Sequence, residues 1–288
     1  MYPEAGYSFD GRATVLPDNF GKFVKMLGVP VVMIKAEGAF LRNPLYNNLK
    51  IRKVAVSAKM KLLFDAEEIK VKDEQDISEA ILREFSFDNF KSQQENKIKV
   101  DEPFRAESLN RLLYKCPHCN TEGKTVGEGT ELRCLECGKV WELDEYGFMR
   151  AKSGDTEYEH IPDWYDFERE SVKREIEEGR YLLQTDVDIY LLVNSKCLYR
   201  VGEGELTHNN DGFHLVGCGG ELDYSQKPIS LYSLNADYFW YEIGDIICIG
   251  DAKTQYYCFP KRSSVSVTKA RIATEEMYKI AKRESRKK

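Results

Sequence analysis

Lys115-Cys116-Pro117-His118-Cys119 and Arg133-Cys134-Leu135-Glu136-Cys137-Gly138 decide how the middle of this 288-residue chain folds. They are two Cys-x2-Cys pairs separated by fourteen residues. Two residues between thiolates let one tight turn aim both sulfurs at a single ion while backbone N–H groups of the turn donate to them. Gly138 suits the left-handed backbone that ends such a turn. Four thiolates fill a tetrahedral shell and leave no position for water or substrate, so the spacing predicts a structural Zn2+ held by Cys116, Cys119, Cys134 and Cys137. His118 stands between two better ligands and is expected to face solvent. A unit of about thirty residues cannot form a sufficient core alone, which makes the metal a folding staple. Over residues 114–143, four Lys and Arg meet five Glu, a net of −1. Phosphate contact calls for a basic excess, so nucleic acid is not the expected partner.

Upstream, Val29-Pro30-Val31-Val32-Met33-Ile34 is a continuous apolar run bounded by Gly28 and Gly38, which predicts a strand buried on both faces of a parallel sheet. Phe23, Val24 and Leu27 before it fall at helical spacing, and Lys53-Val54-Ala55-Val56 is a second candidate strand. Asp65 and Asp76 are placed to cap two helices, the longer of which carries Ile77, Ile81 and Phe85 and runs out near Gln94. Downstream, Ile161-Pro162-Asp163-Trp164 opens a connector helix with an apolar stripe of Trp164, Val172 and Ile176, ended by Gly179.

From about Tyr181 to Phe259 the residues alternate in the manner of strands, with turn signals at short intervals, which predicts an antiparallel series. Its clearest hairpin pairs residues 238–243 with residues 246–249 across a two-residue loop. His208 and His214 are candidates to meet across another hairpin. Val267, Ala270, Ala273, Met277, Ile280 and Ala281 trace one side of a closing helix.

Composition sets bounds on all of this. With 42% hydrophobic residues the chain can bury a sizeable core, and 42 Lys and Arg against 48 Asp and Glu give a net charge of −6, too weak a field to draw polyanions. The basic end, from Lys282 to Lys288, reads as a solvated helix terminus. No stretch approaches the roughly 20 apolar residues of a bilayer-spanning helix, so a soluble, cytoplasmic chain is expected. Cys197, Cys218, Cys248 and Cys258 are scattered singly and are expected to be buried free thiols.

The opening Tyr2-Pro3-Glu4-Ala5-Gly6-Tyr7-Ser8, followed about twenty residues later by Gly28-Val29-Pro30-Val31-Val32, resembles two sequence blocks of the lysophosphatidate (glycerophospholipid) acyltransferase family. There the pattern is an aromatic residue, Pro-Glu-Gly-Thr-Arg-Ser, a helix, and a strand beginning Val-Pro-Val. Gln93 to Lys97 and His160 to Tyr165 extend the likeness to acyltransferase-like proteins of bacteria. The resemblance implies acyl transfer from acyl-CoA or acyl carrier protein to a lysophospholipid, at the inner membrane face as a peripheral contact. It also implies that Glu4, Ser8 and Pro30 belong to the acceptor site. Ala5-Gly6-Tyr7 replaces Gly-Thr-Arg, leaving Arg12 or Lys35 to supply the guanidinium or ammonium that faces a phosphate.

The family's reaction uses a His-x4-Asp block, whose His acts as general base, and no such block exists in this sequence. The resemblance thus implies a chain lacking the front of the acyltransferase and inactive alone. The expected fold is α+β and multidomain: a partial α/β acyltransferase-like segment over residues 1–105, a four-cysteine zinc ribbon over 106–150, a connector helix over 151–180, and an antiparallel β barrel-like domain closed by a C-terminal helix over 181–288. That last domain looks like a pleckstrin-homology module, a class that binds membranes, lipids or peptides. The alternative is a non-enzymatic adaptor, in which ribbon and barrel bind a protein or lipid partner.

Overall fold

Short polar side chains fix most helix starts, because each satisfies a backbone N–H that the first helical turn leaves open. In a computed structural model of the chain, which describes residues 4, 6–17, 20–193, 196–262 and 265–286, the front holds α1 (Phe20–Leu27), β1 (Val31–Glu37), α2 (Ala39–Arg42), β2 (Ser57–Phe64), α3 (Ala66–Val71), α4 (Glu74–Phe85) and α5 (Asn89–Glu95). Asp65 caps α3 and Glu68 reaches back to close a capping box. Asp73, not Asp76, caps α4: it accepts the Asp76 N–H, placing Asp76 inside the first turn. The predicted helix to Gln94 is two helices, because Asp88 caps a fresh start at α5. α1 and α4 pack closely at Gly21, where an added Cβ would fall 1.7 Å from the Glu74 carbonyl oxygen. Phe20, Val24, Phe64, Ile69, Ile77 and Ile81 fill the small core between the helices and the end of β2.

The strands of this region pair otherwise than their apolar runs suggest. β1 pairs antiparallel with β2 in a two-stranded sheet, and the predicted strand at residues 53–56 lies ahead of β2, which begins at Ser57. β1 is not buried on both faces: Val32 and Ile34 are 50% and 68% exposed. An apolar run specifies that a strand wants cover, and tertiary structure decides whether it has any.

The middle holds β3 (Thr125–Glu128), β4 (Glu131–Cys134), β5 (Val140–Leu143) and β6 (Met149–Ala151), a four-stranded antiparallel sheet in sequence order. α6 (Ile161–Glu177) follows, with Pro162 in its first turn and Gly179 left-handed at φ 66° beyond its end. Trp164 of α6 meets Trp141 of β5 edge-on at 4.9 Å, and both are fully buried.

The rear holds β7 (Leu183–Val193), β8 (Cys197–Asn209), β9 (Gly212–Gly217), β10 (Leu222–Gln226), β11 (Asn235–Trp240), β12 (Gly244–Gly250) and β13 (Gln255–Pro260), followed by α7 (Val267–Ser285) capped by Ser266. The strands form one antiparallel sheet in the order β10-β9-β8-β7-β13-β12-β11. It curls enough for the Gln226 side chain to bond both backbone groups of Gly250, at 2.9 and 3.1 Å.

It does not close into the expected barrel: among the described residues β10 and β11 are unpaired edges. The β11 ladder breaks at a bulge between Asp237 and Trp240, with φ 51° at Phe239, 48° at Tyr241 and 60° at Glu242. α7 packs against β11, β12 and the Pro228–Ser230 turn that follows β10. The predicted two-residue hairpin loop is the same irregularity, because Trp240 pairs with Gly244 and three residues turn between them. Of the four scattered cysteines, Cys248 and Cys258 are buried as expected, whereas Cys197 is exposed and Cys218 half-buried.

A single apolar cluster runs through these regions, from Phe9 and Tyr46 through Leu132, Trp141 and Trp164 to Val187, Leu206, Ala273 and Met277. The ribbon, α6, the large sheet and α7 therefore exclude water together.

Candidate metal centre and adjoining cleft

Each Cys-x2-Cys pair sits in a turn that its own backbone closes. In the first, Asn120 N–H donates to the Cys116 carbonyl and Cys116 N–H to the Thr121 carbonyl, both at 2.9 Å, with Asn120 left-handed at φ 63°. In the second, Gly138 N–H donates to the Cys134 carbonyl and Cys134 N–H to the Lys139 carbonyl, again at 2.9 Å. Gly138 takes φ 74°, the conformation its place in the sequence predicts. Backbone N–H groups of His118 and Cys119 serve the Cys116 sulfur, and those of Glu136 and Cys137 serve Cys134.

The four sulfurs lie within 4.8 Å of one another, with Cys116 Sγ to Cys137 Sγ at 3.8 Å and Cys119 Sγ to Cys134 Sγ at 3.7 Å. These are no disulfide contacts, which would be near 2.05 Å. A tetrahedral ion with metal–sulfur bonds of about 2.3 Å sets its ligands about 3.8 Å apart, the spacing of these two cross-pairs. The group is placed to hold one metal ion. Burial raises the Cys116 and Cys134 thiols. Burial works the same way on Cys119, but hydrogen bonds with the Thr121 side chain and backbone outweigh it and bring that thiol down to about 6. Ion binding must therefore displace protons from at least the two raised thiols.

A second layer grips both turns. Glu168 of α6 accepts the Lys115 N–H at 2.8 Å, and Trp164 Nε1 donates to the Lys115 carbonyl at 2.9 Å, so α6 holds both backbone groups of the residue leading into Cys116. Glu157 accepts from Lys139 Nζ at 2.5 Å and Trp141 Nε1 at 3.0 Å and lies 3.1 Å from His118 Nδ1, tying the two turns to each other. The His118 side chain is 55% exposed. Lys115 Nζ reaches Glu122 and Ser171, and Lys269 of α7 bridges Glu122 and Glu175 at 2.7 and 2.8 Å. Helical periodicity marked Trp164 as apolar, but nothing in the sequence separates Glu168 from an ordinary surface glutamate. It is fully enclosed, and burial raises its pKa well above the usual carboxylate range.

On the other side of α6 lies a cleft of roughly 360 Å³, walled by the segment around Ser8 and Arg12 together with α6 and α7. Ser8 Oγ donates to the Arg12 carbonyl at 2.5 Å, and the Arg12 guanidinium holds Asp10 at 2.6 Å and both oxygens of Asp166 at 2.6 and 2.8 Å. Arg169 spans Glu275 and Glu276 at 2.8 Å, while Arg271 donates to the Tyr7 carbonyl at 3.0 Å and lies 4.3 Å over the Phe9 ring. Donors and acceptors thus interleave along the wall, with Arg12, Arg169 and Arg271 matched by Asp10, Asp166 and Glu275. Glu4 lies outside the lining and accepts the Thr14 N–H at 2.9 Å, which ties down the segment that carries Arg12. Pro30 is exposed and also outside the lining, and Lys35 sits 5.4 Å over Phe87.

The remaining histidines are engaged locally. His160 faces Asp88 through Nε2 at 2.8 Å and Gln94 through Nδ1 at 3.3 Å. His208 and His214 do not meet: opposite Phe213 and Thr207 in the β8–β9 register, they fall on different faces. His208 is enclosed, stacked on Phe213 at 3.7 Å and 3.0 Å from the Tyr181 hydroxyl, and burial lowers its pKa to about 3. His214 is 2.9 Å from Asp223 at the surface. No described helix is long and apolar enough to cross a membrane. Comparison with protein-family models, curated proteins and solved structures found no match to this chain.

Proposed function

We propose that this chain is the acceptor-side portion of a phospholipid acyltransferase-type protein, stapled by a structural zinc ion and placed at the cytoplasmic face of a membrane. The observation that carries the reading is the position of Ser8 and Arg12: Ser8, the last residue of the stretch resembling the family's Pro-Glu block, lines the charged cleft with Arg12, while Glu4, outside the lining, bonds Thr14. In this reading Arg12 takes over the part of the missing motif arginine. The cleft then receives the polar end of a lysophospholipid-type acceptor, with Arg12 and Ser8 orienting it. The ion at the four cysteines would supply cohesion only, since a shell of four thiolates has no open position for substrate.

Acyl transfer from acyl-CoA or acyl carrier protein needs a base to take the acceptor's hydroxyl proton. With no His-x4-Asp in the sequence, purified chain is expected to transfer labelled acyl groups no faster than a heat-killed control. Calorimetry with short-chain lysophosphatidate is the direct test: binding that weakens about tenfold or more in Arg12→Ala supports the reading. Undetectable binding, or binding that Arg12→Ala leaves unchanged, overturns it.

The adaptor reading has its own support. Seven antiparallel strands followed by one amphipathic helix is the pattern of pleckstrin-homology-like modules, and the outer face of this sheet carries Trp240 stacked on Tyr257 at 4.9 Å beside Tyr241, 74% exposed. Peptide or headgroup binding that quenches Trp240 fluorescence, with Arg12→Ala silent, would favour it.

A further inference from the structure

The charged cleft holds hydrogen-bond donors that the fold does not use. Tyr165 and Arg169 stand four residues apart on α6, and Arg271 and Glu275 four apart on α7, so each helix presents a pair of side chains to the cavity. The Arg169 guanidinium lies 5.5 Å over the Tyr165 ring. Arg271 spends Nη1 on the Tyr7 carbonyl and turns Nε toward Glu275 at 3.4 Å. Tyr165 is 4% and Arg271 6% exposed, yet the Tyr165 hydroxyl and Arg271 Nη2 bond nothing among the described residues. Neither atom is sealed in, since the enclosed side-chain atoms without a partner are Arg52 Nε, Glu102 Oε2, Tyr114 Oη and Glu168 Oε2. Both therefore open on the cleft that their residues line. Arg12 differs: its Nε goes to Asp10 and both terminal nitrogens to Asp166.

The chemistry of these donors selects the ligand. Burial pushes the Tyr165 phenol up, so it stays an O–H donor through the neutral range. Among the groups that line the cavity, Arg12 faces two carboxylates, Asp10 and Asp166, whereas Arg169 and Arg271 share one, Glu275. Glu276, outside the lining, is divided between Arg169 and Lys279. The positive excess of the lining thus falls on the side of α6 and α7, where the unused donors are. A guanidinium and a phenol on two different helices suit an acceptor whose oxygens diverge, as those of a phosphoryl group do. A volume of roughly 360 Å³ is at the small end of ligand sites and suits the polar head of a phosphate monoester.

We infer that Arg271 and the Tyr165 hydroxyl form a phosphoryl-binding site in the cleft between α6 and α7. This rests on the reading of the cleft as an acceptor site and names the residues that take the acceptor's phosphate, both outside the stretch that resembles the acyltransferase block. Calorimetry on the full chain with inorganic phosphate, glycerol 3-phosphate and short-chain lysophosphatidate tests it, with glycerol as the neutral control. Saturable binding of the phosphates and none of glycerol is expected. Tyr165→Phe is expected to weaken that binding about tenfold or more at an unchanged melting temperature, because the hydroxyl bonds nothing in the structure. Arg271→Lys keeps the charge, loses the fork and is expected to weaken binding similarly. Lysophosphatidate bound more tightly than the other two marks a lipid headgroup as the ligand. Equal binding of all three, still weakened by Tyr165→Phe, marks the free phosphoryl group: this site then stands while the acyltransferase reading falls. If lysophosphatidate binding depends on Arg12 but not on Tyr165, the acyltransferase reading stands and this site falls. The site is also overturned if no phosphate binds, if glycerol binds equally well, or if either variant, once shown to be folded, binds as wild type does.

Discussion

Leu132, Trp141, Met149 and Trp164 are completely enclosed where the ribbon meets α6, whereas Val32, Ile34, Met60 and Leu62 stand half or more exposed on β1 and β2. The chemistry of the side chains is similar in both places. What differs is the cover: the ribbon sheet has α6 against it and a second layer of hydrogen bonds around its cysteine turns, while the front sheet joins its helices' core only at one end, through Val31, Leu63 and Phe64. A two-stranded sheet covered only at one end is marginal alone. The ribbon half therefore supplies its own cover, and the front leaves these side chains to solvent.

The largest effect is expected from emptying the four-cysteine site of the zinc ion it is proposed to hold. Chelation at neutral pH, or Cys134→Ser, is expected to lower the melting temperature sharply and shift Trp141 and Trp164 fluorescence to the red, since structural zinc supplies about 10–16 kcal/mol in isolated fingers. Elemental analysis should find one zinc per chain. Acid should release it as the thiolates are protonated, while Cys197→Ser, at an exposed site, should change neither property. Trp164→Ala comes next: it empties a fully buried site and frees the Lys115 carbonyl, with an expected loss of about 3–5 kcal/mol in denaturant unfolding.

A pH experiment sharpens the contrast inside the large sheet. His208 is held neutral, its pKa lowered by burial from 6.5 to about 3. The unfolded chain binds a proton that the folded chain refuses, so stability is lost as pH falls through 6.5 toward 3. The expected loss from this group at pH 5 is about 2 kcal/mol. His208→Gln should flatten the slope of melting temperature between pH 7 and pH 5, and an unchanged slope would show that other groups dominate it. The smallest effect belongs to the front. Ile34→Ser with Met60→Ser should alter stability by no more than about 0.5 kcal/mol, because neither side chain is buried. A much larger loss would mean that this face is covered in solution.

Much of the metal site was legible because its determinants are local. The Cys-x2-Cys spacing, the glycine at position 138 and the exposed His118 all follow from turn geometry, and the structure places them so. Helix starts were readable for the same reason, although Asp73 displaced Asp76 as a cap, the two being three residues apart in one acidic stretch. Arg169 and Arg271 were not legible as cleft residues, since Glu275 and Glu276 reach Arg169 across more than one hundred residues. Nor could the apolar run at residues 29–34 reveal its partner. Such a run reads alike in parallel and antiparallel sheets.

The sequence by itself determined the four-cysteine cluster, the amphipathic helices α6 and α7 and the antiparallel character of the rear, because spacing, caps and alternation act over a few residues. Long-range packing alone settles that the seven-stranded sheet stays open, that α6 clamps the first cysteine turn, and that β1 shows an apolar face to solvent. Those outcomes depend on which surfaces meet after the chain has folded back on itself, and local free energies are nearly indifferent to that choice.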